Sequence, residues 1–148
     1  MGSTSIQSAP EIKTVDTIEN IEKIKIATSM MKLTGKVHSS LIPAFLKAGQ
    51  IYSIDPVLLV VLCYTESTFD PNAISKKNYK GLMQTPHKTG YTDIDIMYGA
   101  RILKEKMDVA NGDKIKALAL YKGGLNNEAF KQATKTYDIY RKVKNSII

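Results

Sequence analysis

The chain of 148 residues has 43% hydrophobic and 24% charged side chains, the make-up of one globular domain rather than two with separate cores. Cys63 is its one cysteine, which excludes an internal disulfide framework, a cysteine-rich zinc site and a redox pair. Lys and Arg number 21 against 14 Asp and Glu; the net +7 predicts attraction to something anionic, be it nucleic acid, a membrane surface or a wall polymer.

Residues 1–10 are small and polar and show no basic start followed by an apolar stretch, so no export signal is visible. The Gly2-Ser3-Thr4-Ser5 opening resembles a cloning remnant, and 1–10 is set apart as an unstructured or added N-terminus. From Thr14 onward apolar residues recur at three- and four-residue spacing, which predicts consecutive helices. Asp16, with Glu19 three residues on, is placed to cap a first helix whose apolar side begins with Ile18, Ile21, Ile24 and Ile26 and which stops at Gly35. Met30 and Met31 are assigned to its hydrophobic contacts. A second helix is expected over Leu41 to Tyr52, with Pro43 in the first turn. Residues 11–50 are thus an N-terminal helical segment packed on a core formed by 51–148.

Asp55-Pro56 is a strong start signal, an aspartate cap followed by a proline that fixes φ for the opening turn. The helix it opens is apolar all round from Val57 to Cys63 and must be surrounded by protein. That run of seven residues is far short of the roughly 20 a bilayer span requires, so no transmembrane segment is expected. Phe69-Asp70-Pro71-Asn72 breaks the helix, and 70–80 reads as a polar, basic loop. Asp93 is expected to cap a helix from Ile94 to Val109 with Ile94, Met97, Ile102 and Met107 toward the core. A short helix from Lys114 to Tyr121 ends at Gly123-Gly124, and one or two more fill Asn126 to Asn145. The expected fold is a single all-α globule built around the buried helix.

Glu66 lies at the end of that apolar helix, just before the Asp70-Pro71 break. Partial desolvation there disfavours the charged form and makes the side chain a proton donor, the property needed to protonate a glycosidic oxygen. On these physics alone a solvated glutamate on a last helical turn is the commoner case.

The order of motifs resembles the lytic transglycosylases, the soluble lytic murein transglycosylase type of domain related to goose-type lysozymes. The resemblance runs from Ile54-Asp55-Pro56 through Glu66-Ser67-Thr68-Phe69-Asp70-Pro71-Asn72-Ala73-Ile74-Ser75 and Gly81-Leu82-Met83-Gln84 with Pro86. It continues in Asp95-Ile96 before Gly99 and in Ala119-Leu120-Tyr121-Lys122-Gly123-Gly124. It implies a lysozyme-like fold and cleavage of peptidoglycan between N-acetylmuramic acid and N-acetylglucosamine. Glu66 takes the place of the single acid/base that yields a 1,6-anhydro sugar without water, and no second carboxylate is required, unlike hydrolysis by a carboxylate pair.

Carried over one position at a time, Ser75 matches the serine that steadies substrate, Gln84 a cleft glutamine with Met83 beside it, and Tyr121 the tyrosine near the acid. Ser67 follows the acid and supports the turn. Near the C-terminus the family's Glu-Thr then Tyr pattern survives as Thr136 with Tyr137 and Tyr140 out of phase, its glutamate aligning with Lys135; Tyr140 joins the substrate-binding candidates. Departures are Lys122 and Asp95 where the family has Asn, and Thr85 in place of an apolar residue before the proline.

Goose-type lysozymes add acidic residues flanking the Gly-Leu-Met-Gln strip, whereas Lys76 to Lys80 and Thr85 to Gly90 contain no Asp or Glu. That favours transglycosylase over hydrolase. The remaining alternative is a non-catalytic basic helical module for wall polymer or nucleic acid, against which stands the scatter of the lysines and the lack of a nucleic-acid-binding motif. Lys76, Lys77 and Lys80 could instead hold an anionic glycan. His38 and His87 lack partners for a metal, and neither metal nor cofactor is expected. The partner implied is the glycan strand, met by a monomeric domain in periplasm, outside the cell or on a phage particle, alone or in a larger envelope or phage assembly.

Overall fold

The computed structural model describes residues 3–147, with side chains from residue 16 to 147. The side chains of the stretch set apart at 1–10 lie outside the described residues. Six α-helices follow in order: α1 Ser3–Thr34, α2 Ile42–Tyr52 after a short 3-10 turn, α3 Pro56–Ser67, α4 Thr92–Val109, α5 Lys114–Lys122 and α6 Asn127–Ile147. Among the described residues the only β pairing is two isolated bridges, Ile74 with Lys80 and Lys80 with Thr85, so the fold is all-α as expected. No helix among them is long and apolar enough to cross a membrane.

The start signals act as the sequence implies at α2 and α3, and α5 has one of the same kind. Pro43 lies in the first turn of α2, the Asp55 carboxylate accepts from Val57 N–H at 3.0 Å, and Asp113, which the sequence reading did not single out, accepts from Lys116 N–H at 3.1 Å. Each aspartate satisfies a backbone donor that the helix cannot, while Pro43 has no N–H to satisfy. Elsewhere the registers differ. Asp16 lies inside α1 rather than at its start, and Ile18, Ile21, Ile24 and Met31 are exposed, leaving Ile26, Ser29 and Met30 as the buried face. In α4, Tyr91 rather than Asp93 occupies the N-cap. Its buried face is Ile96, Gly99, Ala100 and Leu103, while Ile94 is exposed, because the helix must turn its small residues toward the loop it covers.

Val57 to Cys63 are all buried in α3, which packs against α1, α2 and α6. Each fully buried leucine or valine there contributes about 1.5–3 kcal/mol. α4 bridges α2 and α5, and α5 lies along α6, whose Ala129, Ala133, Thr136, Tyr140 and Val143 recur at the three-four spacing of one buried stripe. Gly49 permits the tight α2–α3 junction: a Cβ there would stand 2.7 Å from the Ile54 carbonyl oxygen and 2.8 Å from Pro56 Cγ. The result is a scaffold in which the buried helix α3 delivers its last turn, with Glu66, to the long α3–α4 loop.

Candidate active site

Immediately after Ser67 the backbone turns left-handed twice, Thr68 at φ 53° and Phe69 at φ 61°, conformations that cost residues with a Cβ. The reversal buries Phe69 beside His38, ring centroids 4.7 Å apart. It also sends the chain directly into the 70–90 loop. Asp70 is exposed and accepts from Asn72 N–H at 2.9 Å, an Asx turn that ends the helix, as the sequence suggests, and does not serve Glu66.

The Glu66 side chain is 15% exposed, and its Oε1 lies 2.9 Å from Nζ of Lys122, whose side chain is 4% exposed. Lys122 also reaches Thr65 Oγ1 at 3.4 Å. The Thr136 hydroxyl, 3.1 Å from Thr65 Oγ1, ties the same turn to α6. Desolvation, the one influence on Glu66 that the sequence suggests, is joined in the structure by the Lys122 ammonium. The departure of Lys122 from the family's Asn is the one signal of this pair in the sequence.

The Gly81-Leu82-Met83-Gln84 strip is held from three directions. Ser67 Oγ donates to the Leu82 carbonyl at 2.7 Å, Tyr121 OH donates to the Met83 carbonyl at 2.5 Å, and Gln84 Nε2 donates to Ala73 O at 3.0 Å and Gly81 O at 2.9 Å. Gln84 itself has φ 50°. Burial, and then the negative charge of Glu66, push the Tyr121 phenol well above its usual range, so it remains a donor. Met83 is buried against Gly99, where a Cβ would come within 2.6 Å of its own. Asp95 is buried too and accepts from both N–H and hydroxyl of Thr89, each at 2.9 Å. Both bonds end on Oδ1, an acceptor that an asparagine would also present, so they leave the Asp-for-Asn departure without a structural explanation.

Ser75 accepts from Tyr79 N–H at 3.1 Å and closes the 75–79 turn that displays Lys76 and Lys77. Tyr140 is not brought to this site. Its hydroxyl donates to Asp55 Oδ2 at 2.7 Å, at the opposite end of α3, roughly 16 Å from Glu66 along the helix axis. Of the residues matched to substrate-binding positions, Ser67, Met83, Gln84 and Tyr121 therefore meet on one strip next to the last turn of α3, whereas Tyr140 belongs to the anchoring of its first.

Two cavities flank these elements. One, of about 320 Å³, is lined by Lys122, Thr65, Thr68, Lys135 and Thr136 and adjoins the Glu66 pair. The other, of about 670 Å³, lies between α2 and the start of α4, lined by Lys47, Tyr52, His87, Met97, Tyr98 and Arg101 among others, and does not reach Glu66. The smaller one is polar and meets the ion pair through Lys122, although Glu66 itself lines neither, and chemistry rather than size selects it.

Residues 43–143 match the model of the transglycosylase SLT domain. The membrane-bound lytic murein transglycosylase C of Haemophilus influenzae strain PittEE is 43% identical over 58 residues, covering 39% of this chain and 16% of that protein. A transglycosylase of Enterobacteria phage PRD1 is 35% identical over 99 residues, covering 61% of this chain and 37% of the phage protein. The chain thus spans well under half the length of these curated relatives.

Proposed function

The chain belongs to the transglycosylase SLT domain family, and on that premise we propose that it is a peptidoglycan lytic transglycosylase with Glu66 as its single acid/base. The observation that carries the reading is the placement of Glu66: a carboxyl group on the last turn of the helix whose Val57–Cys63 run is buried, 15% exposed, bonded to the Lys122 that lines a polar cavity, and next to the Ser67 that tethers the 81–84 strip. A group so placed is fixed in direction and shielded from bulk water, as proton transfer to a poor leaving group requires.

In this reading Glu66 protonates the oxygen linking muramic C1 to the next N-acetylglucosamine as that bond breaks. The resulting carboxylate then takes the proton of the muramic 6-hydroxyl while O6 closes onto C1. A 1,6-anhydro end forms and no water is consumed. Asp70, the nearest carboxylate along the chain, is committed to Asn72 N–H, which supports a one-carboxylate mechanism over paired-carboxylate hydrolysis. Ser67, Gln84 and Tyr121 serve by holding the strip that walls the site, and Met83 by packing beneath it. Ser75, with Lys76 and Lys77 beside it, offers polar and cationic groups to an anionic strand. The working place of the domain is where peptidoglycan lies, the cell envelope or the particle of a phage that must cross it, in keeping with the names of the two relatives.

The test is mass spectrometry of digested peptidoglycan with the wild type and Glu66→Gln. Expected are 1,6-anhydro muropeptides from the wild type and none from the variant, whose melting temperature stays close to the wild type's. Products bearing water-added reducing ends would make the domain a hydrolase, and retained digestion by Glu66→Gln would remove Glu66 from its role.

A further inference from the structure

Helix α1 has two apolar sides, and the core uses one. Ile26, Ser29 and Met30 are buried against the body of the protein, whereas Ile18, Ile21, Ile24 and Met31 expose between 45% and 63% of their surface. Successive side chains on a helix are about 100° apart, so Ile21, Ile24 and Met31 project within about 40° of the direction opposite Ile26. The hydrophobic side legible in the sequence is therefore present in α1, but it faces solvent.

The charges on α1 are sorted about the same axis. Lys25 and Lys32 project between Ile18 and Ile21, while Asp16, Glu19 and Glu22 turn toward the buried side or its edge, with Lys23 beside them. Lys25 reaches back to Glu22 at 3.5 Å, a contact exposed enough to be weak and screened. Among the described residues the outward face thus joins large apolar groups to cations and carries no acid. Lys36, just past Gly35, and the net +7 of the chain add to the same sign.

We propose that α1 is a membrane-surface helix whose outward face, Ile18, Ile21, Ile24 and Met31 with Lys25 and Lys32, lies on a bilayer carrying anionic phospholipid. The isoleucines and the methionine enter the boundary between headgroups and acyl chains. The lysine stems follow them while the ammonium groups stay at the phosphates. No described helix is long and apolar enough to cross a membrane, so α1 lies along the surface. Charge selects this occupant over a second copy of the chain. A two-fold partner, parallel or antiparallel with the stripes in register, would set Lys25 beside Lys25, and each copy would bring a further +7. A polyanion without an apolar layer would meet the lysines but leave the isoleucines in water.

The outward face of α1 and the candidate site are different parts of the surface. α1 packs on α2, α3 and α6, while the site is built from the last turn of α3, the end of α5 and the 81–84 strip. A domain resting on α1 would work on glycan beside the membrane that holds it. Membrane binding is read without turnover, so it stands or falls separately from the assignment of Glu66.

The test is cosedimentation of the full chain with sucrose-loaded vesicles of phosphatidylcholine, alone or mixed with phosphatidylglycerol. Two double variants accompany the wild type, Ile21→Gln with Ile24→Gln and Lys25→Gln with Lys32→Gln. Glutamine is a good helix former and all four positions lie outside the core, so melting temperature should stay close to the wild type's. The wild type should pellet with the mixed vesicles and not with phosphatidylcholine alone, and each double variant should bind them at least roughly tenfold more weakly. With Cys63 buried, Ile24→Cys offers one accessible thiol for an environment-sensitive dye. Its emission should shift to the blue on the mixed vesicles, and that of the same dye at Val109→Cys, on α4, should not. No binding to the mixed vesicles, equal binding to both kinds, or binding untouched by the isoleucine pair overturns the proposal. So does a concentration-dependent dimer in sedimentation velocity that the isoleucine variant abolishes, since the face would then belong to a second copy.

Discussion

The Tyr121 hydroxyl donates a 2.5 Å hydrogen bond to the Met83 carbonyl, joining the last turn of α5 to the strip that Ser67 ties to the last turn of α3. The two helices carrying Lys122 and Glu66 are therefore referenced to one stretch of backbone, so the separation of the ion pair depends on a contact that neither partner makes.

Tyr121→Phe isolates this contact, since it deletes one oxygen and keeps the ring. A partly buried carbonyl left without its donor costs about 1–3 kcal/mol. The melting temperature should fall accordingly, and muralytic activity should fall by roughly ten- to a hundredfold through misplacement of the acid. A variant with lowered melting temperature but full activity would show that the strip does not set the geometry of Glu66.

Gly99→Ala tests the strip from the other side. Alanine is the better helix former by about 1 kcal/mol, and on an open helix face the change would stabilise. Here the new Cβ would stand 2.6 Å from Met83 Cβ and 2.7 Å from its Cγ, atoms near the backbone that cannot swing away. Overpacking of this kind costs about 1–3 kcal/mol, so the clash outweighs the propensity. Thermal melting should show net destabilisation. An unchanged or raised melting temperature would mean that Met83 yields freely.

How far the sequence reveals this arrangement depends on the range of each interaction. Asp55-Pro56 and the all-apolar run after it announce α3 because capping and burial leave local marks, and Glu66 is legible as the polar end of that run. The face of α1 is not, since Ile18, Ile21 and Ile24 repeat as an amphipathic side yet stay exposed while Ser29 is buried. Only the position of α3 and α2 decides which side of α1 is covered. The place of Tyr140 is hidden for a related reason: a tyrosine near the C-terminus can reach either end of α3, and its partner Asp55 lies 85 residues away. Lys122 was visible as a departure, but its meaning depends on a contact across 56 residues.

Cys63 lies inside α3 with no exposed surface, and burial first of all pushes its thiol up to about 12. The thiolate is the reactive form, so the native protein should resist iodoacetamide at neutral pH and react readily once unfolded in guanidinium. Rapid labelling of the native state, followed by mass spectrometry, would contradict the burial of α3. Protection should follow global unfolding, because exposing Cys63 requires α3 to leave the core.

Asp55 gives the fold a defined acid sensitivity. Burial works to raise its carboxyl, but hydrogen bonds from Lys144, Tyr140 and the Val57 N–H outweigh it and hold the group below its usual 3.8. A carboxyl lowered in the folded state contributes stability that is present above about pH 4, its unfolded value, and is lost as pH falls through the folded value. Asp55→Asn keeps the cap, because asparagine also accepts from a helix N–H, while removing the charge that Lys144 and Tyr140 engage. With the Lys144 side chain 42% exposed, the ionic part is screened, and the net loss at neutral pH should be about 1–2 kcal/mol. Denaturant melts from pH 7 to pH 2 should show the wild type and Asp55→Asn converging as pH falls below 4. A difference that stays constant over that range would mean that the hydrogen bonds at the start of α3 do not depend on the charge of Asp55.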